Sequence, residues 1–198
     1  MCRISRPLFQ PKVSLMVRIN RVTTRGGDTG ETSLGDGSRV RKDDPRVAAI
    51  GAVDEANAAM GLLRLVTRDA PDVTAMLARI QNDLFDLGAD LCVPGQAGDR
   101  LRLTDAPVLR LEAEVTAMNA GLPPLTSFIL PGGSEASAHA HVARVVTRRA
   151  ERAVVSLEDV NPNLVRYLNR LSDHLFVLGR VLNGNGTEDV LWVPGANR

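Results

Sequence analysis

The stretch FILPGGSEASAHAHVARVVTRRAERAVVSL, residues 128–157, decides the reading of the fold. It begins as a short apolar run, turns at Pro131–Gly132–Gly133, and continues as a long helix for which Ser134 can serve as cap. Val142, Val145, Val146, Ala150, Ala153, Val154 and Leu157 recur at helical spacing, which predicts one buried face. Arg144, Arg148 and Glu151 fall on a second face, with Arg149 and Arg152 beside it. Four arginines within nine positions repel one another unless something anionic lies among them. The guanidinium fork is the side chain best shaped to hold phosphate oxygens in pairs. On its own such a run most often reads as a solvated basic face with ordinary Arg–Glu pairs. The sharper reading is a helix that holds a polyphosphate.

On the N-terminal side, a helix is expected from Pro45, with Asp43 and Asp44 as candidate caps. It carries Asp54 and Asn57 within a face of small residues, so Asp54 is either solvated or a partner for one of the arginines. A second helix follows Pro71, with Leu77, Ile80, Leu84, Leu87 and Leu91 at core spacing. Residues 93–104 read as a loop, and a third helix spans about 105–119 with Asp105 as its cap. After the arginine helix, EDVNPN breaks the chain, and a fifth helix buries Leu164, Leu168, Leu171, Leu175, Leu178 and Leu182. Asn169 and Asp173 share another of its faces; Asn169 can read a sugar or base edge, or simply face solvent. Phe128 is either ordinary core or the wall of an apolar pocket beside the arginines. Within the tail, EDVLWVPGANR shows only one short apolar run.

Ahead of the helices lies TTRGGDTGETSLGDGSRVRKDD, residues 23–44. Its glycines and hydroxyls can bend tightly and aim N–H and O–H donors at phosphate, with Arg25 and Lys42 adding charge at its ends. No GxxxxGK[ST] string accompanies it, so a flexible surface loop explains it equally well. Residues 17–23 alternate like a short extended segment, and 1–16 read as a disordered tail before a single domain over 17–198.

At 198 residues and a net charge of +1, no global field selects nucleic acid or a membrane surface. Aromatic content of 3% is too low for a platform that stacks single-stranded bases. Cys2 and Cys92 make no disulfide framework and suit a reducing compartment, so the expected location is cytoplasmic. His139 and His141, two apart on a helix, face different ways, and no metal-ligand spacing occurs. The inward Glu and ExxH ligands of a ferritin-like metal bundle are missing too. The residues alone therefore give an all-α bundle of five helices with a Gly-rich arm and a candidate phosphate site.

Several motifs, in order, carry a more specific resemblance: TRGGDTGETSL, RKDD, VDEANAAMG, LPPLTSFILPGG, RVVTRRAERAVVSL and NRLSDHLFVLGR. Together, over about residues 18–183, the chain resembles the PduO-type ATP:cob(I)alamin adenosyltransferases. That resemblance implies a five-helix bundle assembled as a homotrimer, with sites between subunits. It implies transfer of the 5′-deoxyadenosyl group of ATP to cob(I)alamin, giving adenosylcobalamin and triphosphate, with Mg²⁺ accompanying ATP. Thr24, Arg25, Gly26, Gly27, Thr32 and Ser33 would wrap the triphosphate, Lys42 would contact phosphate, and Arg148 would be central to ATP binding and catalysis. Arg149, Glu151, Arg152 and Asn169 would complete the nucleotide site. Arg144 and Asp54 would bridge neighbouring subunits, and Phe128 would displace the lower axial ligand of cobalamin. The family usually has Lys-Thr where this chain has Arg25-Gly26, so Gly26 can offer only its backbone. A reductase for cob(II)alamin and an adenosylcobalamin-dependent mutase are the implied partners. A bundle that binds ATP or delivers adenosylcobalamin without turnover is the alternative.

Overall fold

The computed structural model describes residues 23–95 and 100–198. The expected tail, and the extended segment up to residue 22, lie outside the described residues. Five helices follow in order: α1 (Pro45–Val66), α2 (Pro71–Cys92), α3 (Asp105–Asn119), α4 (Glu135–Val155) and α5 (Pro162–Val181). The all-α bundle is as the sequence predicts. Proline occupies the first turn of α1, α2 and α5, where its missing N–H is no loss. Asp44 caps α1 by accepting from Arg46 N at 2.8 Å, and Ser134 caps α4 by accepting from Ser137 N at 3.1 Å. Asp105 is not a cap. It is the first residue of α3, Thr104 precedes it without a side-chain capping bond, and its carboxylate pairs with Arg166 instead.

Helix α1 packs on α2 and α4, and α5 packs on α4 and α3. The core between them is largely leucine: Leu63, Leu77, Leu84, Leu87, Leu111, Leu164, Leu168, Leu171, Leu175 and Leu178 are buried. Each such side chain contributes roughly 2 kcal/mol when removed from water. Small residues bring α1 and α2 close enough for Asn57 and Gln81 to exchange hydrogen bonds: Asn57 Nδ2 to Gln81 O at 3.1 Å, and Gln81 Nε2 to Asn57 O at 3.2 Å. Asn57 is thus a packing residue.

The predicted buried face of α4 needs correction. Val142 and Val145 are about half exposed, at 50% and 49%. The buried stripe is Ser137, Ala140, His141, Ala143, Thr147, Ala150 and Val154. Small side chains let α4 lie close against both α1 and α5, and Val142 and Val145 are turned outward while Val154 stays buried.

The Gly-rich arm is not all loop. Glu31–Ser33 (β1) pairs antiparallel with Arg39–Arg41 (β2), with Thr32 opposite Val40. Gly37 supplies the left-handed conformation of the turn at φ +88. Gly35 N donates to Cys92 O at 2.8 Å, which docks the hairpin on the C-terminal end of α2. A side chain at Gly35 would collide with Val93, 2.7 Å from its Cβ.

One pH dependence follows from the packing of α3 on α5. Burial pushes the Glu114 carboxyl up, but hydrogen bonds with His174 and Arg79, at 3.0 and 2.9 Å, outweigh it and hold the group below its ordinary 4.5. A depressed carboxyl contributes stability above its unfolded pKa, and that stability is lost as pH falls through the folded value. Thermal midpoints measured from about pH 6 down to about pH 3 should fall more steeply for this chain than for Glu114→Gln. Parallel curves would show that Glu114 is not part of the acid response.

Candidate functional site

The arginines of α4 do not form one uniform face. Arg149 is ion-paired with Glu55 of α1, and Arg152 Nη1 turns back to Arg148 O at 3.2 Å. Glu151 accepts from Asn169 Nδ2 of α5 at 2.9 Å, so these two predicted nucleotide contacts are joined to each other. Arg144 and Arg148 are left as neighbouring cations with no carboxylate partner among the described residues. Arg144 is half-buried, and its Nε is enclosed without a hydrogen-bond partner. Burial first, and the Arg148 charge second, hold its guanidinium below the ordinary value. Two like charges with a spare donor are the chemistry an anion would offset.

The second half-site is the N-terminal arm. Thr24, Arg25 and Gly26 are exposed in a turn; Arg25 takes a left-handed φ of 60°. Arg39 Nη2 holds the Gly26 carbonyl at 2.9 Å and its Nη1 reaches Ser33 Oγ at 3.3 Å. The backbone of Gly26 is therefore fixed even though its side chain is gone. Lys42 is tied into the same turn by its N–H to Gly30 O at 2.9 Å. Its ammonium rests against Gly27, where a Cβ would lie 2.9 Å from Nζ. Any side chain at Gly27 would push the amine away. Lys42 and the turn are thus brought together, with Thr32 half-buried and Ser33 exposed on β1.

The arginines and the arm are carried by different elements of the chain. The arm docks on α2 through Gly35, while Arg148 sits on α4 between α1 and α5. Asp54 is exposed on α1, and no hydrogen bond or ion pair reaches it among the described residues. It does not meet Arg144 of its own chain.

Phe128 is neither core nor a wall beside the arginines of its chain. It is 78% exposed. It precedes α4, whereas Arg148 lies thirteen residues beyond Glu135, about 20 Å along the helix axis. Its ring lies 6.1 Å from that of Trp192. The terminal segment that the sequence left unread pairs with it: Trp192 N donates to Phe128 O at 2.7 Å, and Leu130 N to Val190 O at 2.8 Å. The β-branched and aromatic run VLWV was the local signal for that strand-like pairing. Among the described residues no group of three His, Cys, Asp or Glu side chains is placed to hold a metal ion, and no helix is long and apolar enough to cross a membrane.

The geometry defines a helical bundle with a cationic face on α4, a donor-rich arm and an exposed aromatic pair. Comparison with known proteins places it more closely. The sequence profile described as Cobalamin adenosyltransferase matches residues 22–182. The chain is 53% identical over 181 residues to a cobalamin adenosyltransferase of Cupriavidus metallidurans, covering 88% of this chain and 95% of that one. It is 48% identical over 192 residues to a corrinoid adenosyltransferase of Mycobacterium tuberculosis, covering 93% and 98%. Among solved structures, a phenylalanine-to-alanine variant of a PduO-type ATP:corrinoid adenosyltransferase from Lactobacillus reuteri, complexed with cobalamin and ATP, superposes with a TM-score of 0.81. It has 35% identity over 87% of this chain and 99% of that chain. The chain belongs to the cobalamin adenosyltransferase family and is a transferase.

Asp54→Asn tests whether Asp54 and Arg144 meet across a subunit boundary. Truncating one partner of such a charge pair costs about 2 kcal/mol or more. Sedimentation of the variant should show a weakened assembly together with reduced turnover. An unaltered assembly with unaltered rates would remove the bridge.

Proposed function

We propose that this protein transfers the 5′-deoxyadenosyl group of ATP to cob(I)alamin, giving adenosylcobalamin and triphosphate. The observation that carries the reading is the pair Arg144–Arg148, cations left without a carboxylate among the described residues on a helix of this family. In the reaction Co(I) attacks the 5′-carbon of ATP. A Co–C bond forms, the C5′–O bond breaks, the triphosphate leaves with the electron pair, and cobalt is oxidised by two electrons. Co(I) is itself a strong nucleophile, so no general base is required of the chain. What the protein supplies is position and charge on the leaving group.

Arg148 and Arg144 would stabilise the departing triphosphate. The arm over Thr24–Gly27, with Thr32, Ser33 and Lys42, would wrap its oxygens. Glu151, Asn169, Arg149 and Arg152 would orient the nucleoside and its surroundings. Mg²⁺ would enter as part of the nucleotide substrate, held largely by phosphate oxygens. A homotrimer with Asp54–Arg144 bridges would bring Arg148 of one chain to the arm of a neighbour. The electrons for Co(II) would come from a reductase, and an adenosylcobalamin-dependent mutase would consume the product, both in the cytoplasm.

Phe128 would occupy the lower face of the corrin. A bulky ring there excludes the axial ligand and water, lowers the orbital that accepts the electron, and eases reduction of Co(II). Phe128→Ala is expected to leave ATP binding intact while the lower ligand stays bound. An unchanged four-coordinate Co(II) spectrum in that variant would remove the role.

The deciding experiment is anaerobic absorbance of reduced cob(I)alamin with Mg-ATP and protein. Protein-dependent loss of the Co(I) band, with triphosphate and a light-sensitive alkylcobalamin appearing, is expected. A band that persists while ATP binds would replace the transferase with a carrier.

A further inference from the structure

The connection that bears Phe128, between α3 and α4, has no helix or paired sheet of its own, yet it is fastened along its length. These fastenings lead to the C-terminal end of α5 and to the segment that follows it. Near its start, Arg180 Nη2 donates to Pro123 O at 2.8 Å. At its end, Ser134 N donates to Asn183 Oδ1 at 3.0 Å and Ser134 Oγ to Leu182 O at 2.8 Å. Gly133, at φ +90, leaves the room that Asn183 fills; a Cβ there would stand 2.2 Å from Oδ1. In the middle, Ser127 Oγ donates to Trp192 O at 2.7 Å, beside the Phe128–Trp192 pairing already described.

The strap 189–192 is in turn held by Asp189, which accepts from Arg180 Nε at 2.7 Å and from Asn183 Nδ2 at 3.3 Å. Arg180 and Asp189 are both nearly enclosed, with side chains 6% and 5% exposed. One guanidinium therefore binds the connection with one nitrogen and the strap with another. A buried ion pair adds little stability over a well-packed apolar pair, so its value here lies in holding one geometry. Phe128 itself is exposed, and the ring contact that steadies it is Trp192.

We propose that Arg180, with Asp189 as its counter-ion, is a positioning residue for Phe128, acting through the 189–192 strap. The inference rests on the adenosyl-transfer reading, in which Phe128 meets the corrin. It also links the two substrates, since α5 carries Asn169 eleven residues before Arg180, about three turns away.

The test compares the parent chain with Arg180→Lys, Trp192→Ala and Tyr167→Phe. Lysine keeps the buried charge, so the chain folds, but a single ammonium cannot replace the planar fork. Trp192 is partly exposed, so its loss does not open the core. With ATP and cob(II)alamin bound, the readout is the fraction of four-coordinate Co(II) by absorbance and electron paramagnetic resonance. Arg180→Lys and Trp192→Ala are expected to lose that fraction about tenfold, with KM for ATP within about twofold, and to turn over pre-reduced cob(I)alamin far better than cob(II)alamin plus reductant. Tyr167→Phe, which removes the buried bond to Asp83 at 2.8 Å, should lower the thermal midpoint and keep the signal. A full four-coordinate signal in both strap variants overturns the inference alone. So does a loss that Tyr167→Phe shares, since that would mark general loosening. A parent chain that neither transfers nor forms the four-coordinate species overturns the transferase reading with it.

Discussion

Replacing Arg148 with alanine is expected to reduce transfer from ATP to cob(I)alamin by about three orders of magnitude, as removal of a donor aimed at developing charge does elsewhere. The structure gives the reason. Of the four arginines on α4, Arg149 is neutralised by Glu55 and Arg152 leans on a backbone carbonyl. Arg144 is half-buried and already shifted by the neighbouring Arg148 charge. Arg148 is exposed and its guanidinium has no ion-pair partner among the described residues, which leaves it to meet a leaving group. Its loss also relieves the repulsion on Arg144, so the fold should not suffer and the thermal midpoint should hold or rise slightly. Arg148→Lys keeps the charge and loses the fork, and should retain roughly a tenth of the rate. The measurement is the anaerobic decay of the Co(I) band at saturating Mg-ATP. Near-normal decay in Arg148→Ala would remove the residue from the chemistry and shift attention to Arg144.

The helices were legible because their signals are local. Pro45 and Pro71 mark the start of two of them, Asp44 and Ser134 cap two, and leucines at helical spacing mark the core. What escaped reading depends on contacts far apart in the chain. Val142 and Val145 fit the helical stripe, but α4 meets its neighbours through Ala140, Ala143 and Thr147, a choice made by interhelical distance. The strands β1 and β2 are three residues each and mostly polar, so no alternation announced them. The Phe128–Trp192 pairing joins residues more than sixty positions apart, and no period or spacing reports it. The site was legible as residue types, since arginine clusters and glycine turns name their chemistry. It was not legible as geometry: the sequence could not say that Arg149 is paired with Glu55 while Arg148 has no ion-pair partner among the described residues, or that the exposed ring of Phe128 pairs with Trp192.

Asp90→Ala is expected to produce the largest loss of stability. Asp90 is 3% exposed, and its carboxylate ties three segments at the end of the bundle that bears the arm. It accepts from Arg102 Nη1 at 2.6 Å, Leu103 N at 2.8 Å and Asn161 Nδ2 at 2.8 Å. Alanine would leave the enclosed Leu103 N–H unpaired and take the counter-ion from Arg102. Breaking a buried pair by removing one partner costs about 3–5 kcal/mol. The lower part of that range applies, because Arg102 keeps the carbonyls of Asp90, Val93 and Gly95 at 2.7–2.8 Å. For a chain of this length the thermal midpoint should fall by about 6–12 °C. The loss should also reach function. Cys92, two residues on, accepts from Gly35 and so anchors the hairpin that carries Lys42. Loosening the end of α2 should therefore raise KM for ATP more than it lowers kcat, since the arm binds while Arg148 on α4 is undisturbed. A lowered midpoint with unchanged KM would mean that the arm holds its shape without its anchor. An unchanged midpoint would mean that Arg102 and its carbonyls carry the knot without the carboxylate.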